Sequence, residues 1–250
     1  MSFIQRYPDE LFALLRRLID EEGPAIERAA SRVADTIAAD RLLHVFGTGG
    51  HSYMGAEELF FRAGGLVPVN AILDEGVSLG HGALRSMVVE RTPGYAQAIL
   101  AYHDLGEDDT LVVVNAYGVN AVTIDAALEA RRRGSVTIAV TSVALQRGLA
   151  QGHPSRHPSG SDLCDVADIV VDCKVPMGDA LVDLPGLSQR VGASSTFGNA
   201  LALNLIAGRA IELLVARGIE PPLWQSANSP GGDDANAGHL RAYRQRIKKL

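Results

Sequence analysis

Apolar residues recur along this chain in two periods. Between residues 8 and 39, Leu11, Leu14, Leu15, Leu18 and Ile19, then Ile26, Ala29, Ala30, Val33 and Ile37, fall at helical spacing on either side of Glu22-Gly23-Pro24. This predicts two helices joined at the glycine. Leu42, Leu43, Val45 and Phe46 form a run long enough for a buried strand and too short for a buried helix. Gly47-Thr48-Gly49-Gly50 stops it, and a helical pattern follows over 53–62, closed by Gly64-Gly65 as by a C-cap. A second strand is expected over 66–73, then a mixed segment over 74–91 carrying His81 and Arg85, and a helix start at Thr92-Pro93-Gly94. The next units are a strand over 110–114, a loop over 115–120, a helix over 121–133 ended by Gly134, and a strand over 136–140 running into Thr141-Ser142.

Farther on, QGHPSRHPSGSD (151–162) reads as a loop, 166–171 as a last strand, and 173–191 as a long irregular return. Gly192 to Thr196 should cap a strongly apolar helix over 197–216, stopped by Gly218. A SANSPGGDDAN loop and a basic end helix over 240–250 complete the expectation. Strands that are apolar throughout and alternate with helices imply a parallel sheet covered on both faces. A ligand of such a sheet lies at the carboxyl ends of its strands, here the Gly47 loop, the Asn115 loop and Thr141-Ser142.

Composition narrows the partners. The 250 residues are 47% hydrophobic with 26 glycines, enough for one sizeable core, and neither an internal repeat nor a domain linker stands out. One domain over 1–250 is expected: N-terminal helices over 1–40, an α/β core over 41–220 and a tail over 221–250. A net charge of −6 argues against nucleic acid or an anionic membrane as partner. Cys164 and Cys173 show no CxxC spacing and read as reduced structural thiols. The opening MSFIQRYPDE has no apolar signal core, and no run approaches the roughly 20 apolar residues of a membrane helix. A soluble cytoplasmic protein without a cofactor or metal is expected.

The organising stretch is strand, glycine loop, helix over 41–66. Such a junction aims unpaired backbone N–H groups and the positive end of a helix at one point, which suits an anion or a polar sugar. Gly47-x-Gly49 lacks the third glycine of a dinucleotide fingerprint, and residues 47–52 lack the Gly-Lys-Ser/Thr ending of a nucleotide P-loop.

The strand–GTGGHS–helix unit with AEELFFRAGG, followed by strand–NAYGVN–helix, resembles the sugar isomerase (SIS) domain. The chain is most similar to stand-alone SIS proteins grouped near phosphoheptose isomerase, with the likeness continuing through ERTPGYA, SRHPSG, DLPGL and SANSPGGD. The resemblance implies a flavodoxin-like three-layer αβα sandwich around a five-stranded parallel sheet. It also implies a homodimer or homotetramer with sites shared between subunits, and a small-molecule sugar or sugar phosphate as ligand. Family members grip the phosphate with a Ser-x-Ser-Gly loop after the third strand, and Asn115 and Tyr117 stand at those serine positions.

Aldose–ketose isomerisation requires a base to move a proton between adjacent carbons, a shuttle for the hydroxyl proton and donors to steady the enediolate. Glu57 and Glu58 follow the glycine loop, where phosphoheptose isomerases also carry acids. Adjacent helix positions diverge by about 100°, so at most one faces the site, and Glu58 is preferred. His51 is the best placed of His51, His81, His153 and His157 for acid–base work. Contacts to the sugar are assigned to Gly47, Thr48, Gly49, Gly50 and Ser52, to Asn115, Tyr117, Gly118 and Asn120, and to Ser142, Ser194, Ser195 and Thr196. Two other readings fit the same residues: a sugar-phosphate lyase or etherase, and a sugar-binding sensor without catalysis.

Overall fold

A computed structural model describes residues 1–250. In chain order the elements are α1 (Phe3–Ala38), β1 (Leu43–Gly47), α2 (Tyr53–Leu59), β2 (Val69–Ile72), α3 (Ala83–Glu90), α4 (Tyr95–Tyr102), β3 (Thr110–Val114) and α5 (Ala121–Arg132). They continue with β4 (Val136–Thr141), α6 (Val143–Gly148), α7 (Leu163–Val166), β5 (Ile169–Asp172), β6 (Ala180–Val182), β7 (Val191–Ala193), α8 (Ser195–Ala216) and α9 (Gly232–Tyr243). Five strands form one parallel sheet in the order β2-β1-β3-β4-β5, and β6 and β7 pair as a small antiparallel ribbon.

Alternation of side chains along each strand divides the core between two faces. Leu43 and Val45 of β1, Val112 and Val114 of β3 and Val140 of β4 join the core under α1 and α8. Phe46, Leu111, Val113 and Ala139 point the other way, into the core under α4 and α5. The three-layer αβα sandwich is therefore present, with the site left to the strand ends. One polar residue is buried within β1: His44, whose Nδ1 accepts from Asn70 Nδ2 at 3.0 Å.

Several expectations from the sequence are corrected. The two N-terminal helices are one 36-residue helix running through Gly23 and Pro24. Glu21 and Glu22 pair with Lys174 Nζ at 3.0 and 2.6 Å, and Glu22 accepts from the Asp172 backbone, so β5 holds the helix across the point where its own hydrogen bonding is weakest. Helix α2 stops at Leu59 rather than at Gly64-Gly65, because residues beyond it pair with the C-terminal segment. Gly64 donates to Trp224, Trp224 to Gly65 and Val67 to Pro222, while the Phe61 ring meets the Trp224 ring edge-on at 4.7 Å. The same pairing shortens the second strand to Val69–Ile72. The irregular return contains the β6–β7 ribbon, and the expected basic end helix is instead α9, which begins inside the expected loop and ends at Tyr243. Helix α8 is long and apolar enough to cross a membrane by length and composition. It packs along α1 and α2, and its Ala202, Leu203, Ile206 and Ala210 enter the core.

Candidate functional site

The chain leaves β1 toward β2 on one side and reaches β3 on the other, so the strand order reverses at the carboxyl ends of β1 and β3. Loops diverge at such a point and open a crevice. A cavity of 280 Å³ lies there, walled by Gly49, Gly50, His51 and Ser52 after β1, by Asn115 to Tyr117 and Asn120 after β3, by Leu79, Ser86, Met87 and Glu90 around α3, and by Asp179 and Ser195.

The two glycine loops are built for close approach. A methyl group at Gly47 would run into the Ser52 carbonyl, so only glycine lets the chain turn into α2 here. Gly118 has φ 60°, and a Cβ there would collide with Thr141 and Gln146. Between the loops, Asn115 Nδ2 donates to Thr48 O and Oγ1 at 3.3 and 3.2 Å, while Asn115 Oδ1 accepts from Gly118 N at 2.9 Å. Thr48 Oγ1 also lies 2.7 Å from Thr123 Oγ1. Thr48, Asn115 and Gly118, expected as sugar contacts, thus spend their polar atoms holding one loop against the other. Ser142 is fully buried, caps α6 through Leu145 N and donates to Val175 O.

Glu57 and Glu58 do not face this crevice in the chain that carries them. Glu57 is exposed. Glu58 pairs with Arg62 at 3.3 Å, accepts from Asn204 Nδ2 at 2.9 Å and lines a separate pocket behind α2. The acid that does line the crevice is Glu90, at the end of α3, which pattern reading passed over although it opens the ERTPGYA motif. Glu90 Oε1 accepts from Gly50 N at 2.9 Å and lies 3.1 Å from Ser86 Oγ. Burial pushes its carboxyl above the ordinary range, against the opposing pull of those hydrogen bonds and of Arg91 and His51.

Asp179 is the second residue missed. Its Oδ1 accepts from Ser194 N and Ser195 N at 2.9 and 2.7 Å, and its Oδ2 from Ser195 Oγ at 2.7 Å. The expected serine cap of α8 is therefore an aspartate cap: Ser194 is fully buried against Asp179, and no side chain at the N-cap itself bonds the helix. Thr196 lies outside the cavity wall. Tyr117 is half-buried, with its phenol raised by burial and by the Asp179 charge and opposed by the Gly178 backbone N–H.

The histidines separate by position. His51 is exposed at the crevice mouth. His81 pairs with Glu75 at 3.4 Å. His157 Nε2 bonds Asp125 at 3.2 Å, and Asp125 in turn accepts from Gly94 N, so His157 ties the SRHPSG segment to α5 and the start of α4. His153 lines a neighbouring cavity. The group most like a metal site, Asp162 with Cys164 and Asp165, is committed elsewhere, since its carboxylates bond Arg147 and Arg156.

Comparison with known proteins agrees with this architecture. The SIS domain family matches residues 6–142, more than half of the chain. The chain is 36% identical over 247 residues to a UPF0309 protein of Geobacillus kaustophilus, covering 99% of this chain and 96% of the relative. It is 39% identical over 245 residues to a UPF0309 protein of Brucella canis, covering 98% of each. Among solved structures, phosphoheptose isomerase GmhA from Neisseria gonorrhoeae superposes with a TM-score of 0.57 at 14% identity, over 84% of this chain and 97% of that one. A phosphoheptose isomerase from Francisella tularensis does so with a TM-score of 0.52 at 17% identity, over 85% of this chain and all of the other. At these identities the superpositions speak for the fold. With the family match over residues 6–142 and relatives aligned end to end, this chain belongs to the SIS domain family.

Proposed function

We propose that the crevice between β1 and β3 binds an anionic sugar, such as a sugar phosphate, and interconverts its aldose and ketose forms through an enediolate. Family membership and the names of the superposing phosphoheptose isomerases support the sugar. The observation that carries the chemistry is Glu90: a carboxyl raised by burial, held 2.9 Å from Gly50 N in the crevice wall. A carboxyl raised in this direction is a stronger base than an ordinary carboxylate, better able to take a proton from carbon and return it. In the reaction the base removes the proton at C2 of the open-chain aldose and delivers it to C1. The hydroxyl proton moves from O2 to O1, so no oxidant or reductant is consumed. His51 is assigned the hydroxyl proton, and Ser52, Asn120 and the Gly49-Gly50 backbone the sugar hydroxyls. Glu57 and Glu58, outside the crevice of their own chain, are available only to a neighbouring subunit. The reading includes a homodimer or homotetramer in the cytoplasm.

The test is proton exchange in heavy water, followed by NMR over a panel of aldose and ketose phosphates. Wild type should place solvent deuterium on the reacting carbon of one of them. Glu90→Gln should slow this by about 10²–10⁴-fold without unfolding the chain. A Glu90→Gln variant as fast as wild type would move the base to Glu57 or Glu58. Binding of a sugar without any exchange would leave a sensor and overturn the isomerase.

A further inference from the structure

The crevice is poorly suited to the anionic end of its own proposed ligand. It is lined by two carboxylates, Glu90 and Asp179, and by no lysine or arginine. The N-terminus of α8, where an oxyanion could otherwise meet free N–H groups, is filled by the Asp179 carboxylate. The Tyr117 ring stands at the third-strand loop. A dianion placed there would face two like charges with no lysine or arginine in the wall to balance them.

A second cavity of 420 Å³ shares Glu90, Tyr117 and Asn120 with the crevice and extends past them to Arg91, His153 and Ser155. Its remaining wall is largely apolar, from Val119, Leu149 and Met177. Arg91 is exposed, forms no ion pair within the chain and is close enough to Glu90 to draw its carboxyl downward. His153 Nδ1 accepts from Ser155 N at 3.2 Å, which leaves Nε2 as the ring's donor. Val119 and Asn120 lead directly into α5, so the positive end of that 12-residue helix lies at the shared wall. Of the two carboxylates only Glu90 reaches this second cavity, where Arg91 stands beside it, while Asp179 lines the crevice alone.

We infer that this outer cavity is an anion subsite, in which Arg91 and His153 hold a tetrahedral oxyanion, such as the phosphate of the sugar, while the sugar ring lies in the inner crevice. The placement of the ring rests on the reading under Proposed function; the anion seat does not. Tyr117 then divides the ligand, with its ring against the sugar and its edge toward the oxyanion.

The test titrates inorganic phosphate into the full chain in a phosphate-free buffer, followed by calorimetry and by ³¹P line width. Saturable binding is expected, weakened about tenfold to a hundredfold in Arg91→Ala and in His153→Ala, since each lost bond to a charged group is worth that order, and weakened further in the double variant. Arg85→Ala, on the exposed side of α3, should bind as wild type does. A second arm compares a free sugar with its phosphate: the phosphate should add affinity in wild type and none in the double variant. Absence of saturable phosphate binding, or equal binding by wild type and the double variant, overturns the seat. So does an adventitious ion only, recognised by equal sensitivity to Arg85→Ala. If phosphate binds through Arg91 and His153 but no sugar binds, the seat stands and the sugar reading falls. If sugars bind and their phosphates gain nothing from Arg91 and His153, the reverse holds.

Discussion

Burial raises the Glu90 carboxyl above its ordinary value near 4.5, so the folded chain holds that proton more tightly than the unfolded chain does. Below the ordinary value both states are protonated, and the group takes nothing from stability. As pH rises the unfolded chain ionises first, and stability falls until the folded carboxyl also ionises. Glu90→Gln removes that term while keeping an acceptor for Gly50 N. The variant should therefore melt close to wild type at pH 4 and above it at pH 7, by thermal denaturation followed in circular dichroism. A variant that melts below wild type at pH 7 would mean that the ionised carboxylate, through Gly50 N and Ser86, stabilises the fold more than its desolvation costs. Ser86 and Gly50 act through Glu90, which fixes where its carboxyl points.

At the scale of elements, α1 persists where its own sequence argues for a break. Pro24 cannot donate to the turn before it, and its ring crowds that turn. The helix continues because Ala25, Ile26, Ala29 and Ala30 keep it on the core beyond the proline, and because Lys174 and the Asp172 backbone hold Glu21 and Glu22 just before it. Pro24 itself is exposed and packs no core. Pro24→Ala should restore one helical hydrogen bond and raise stability by about 1–2 kcal/mol, after allowance for the freer unfolded chain. Urea denaturation at constant m-value measures this. A lower midpoint would show that the proline sets a bend that the packing of α1 on α8 requires. The N-terminus of α8 is likewise made from a distance, by Asp179 reaching over from the start of the β6–β7 ribbon.

For the whole molecule, the outer surface keeps large apolar side chains in the open. Leu84 and Val88, four residues apart on α3 beside the crevice mouth, are 76% and 62% exposed, and Phe12 on α1 is 65% exposed. Exposed apolar side chains that cluster in this way mark surfaces that another chain covers. A dimer or tetramer is expected at micromolar concentration by light scattering, and Leu84→Glu with Val88→Glu should shift it toward smaller species. A monomeric wild type would contradict the expectation.

The parts of this protein that were legible in its sequence are those governed by local period. A run of apolar residues such as Thr110–Val114 can only be a strand buried on both faces, and the sequence placed β3 at the same bounds as the structure. The glycine loop after β1 and the NAYGVN loop after β3 stood out because glycine is needed where chain meets chain. Of the three strand ends expected to meet at a ligand, the Gly47 and Asn115 loops line the crevice and Thr141-Ser142 is buried beside it. What only the tertiary structure decided depends on residues far apart in the chain. Glu90 meets Gly50 across 40 positions and Asp179 meets Ser195 across 16, and neither acid sits in a local pattern that marks it. Glu58 stood in the expected motif, yet its partners Arg62 and Asn204 draw it behind α2. Local propensity set the elements, because backbone hydrogen bonding and side-chain period act over a few residues. Which acid faces the crevice was set by the packing of α3 against α5 and of α8 against α1 and α2, since only packing brings distant side chains within a hydrogen bond of one another.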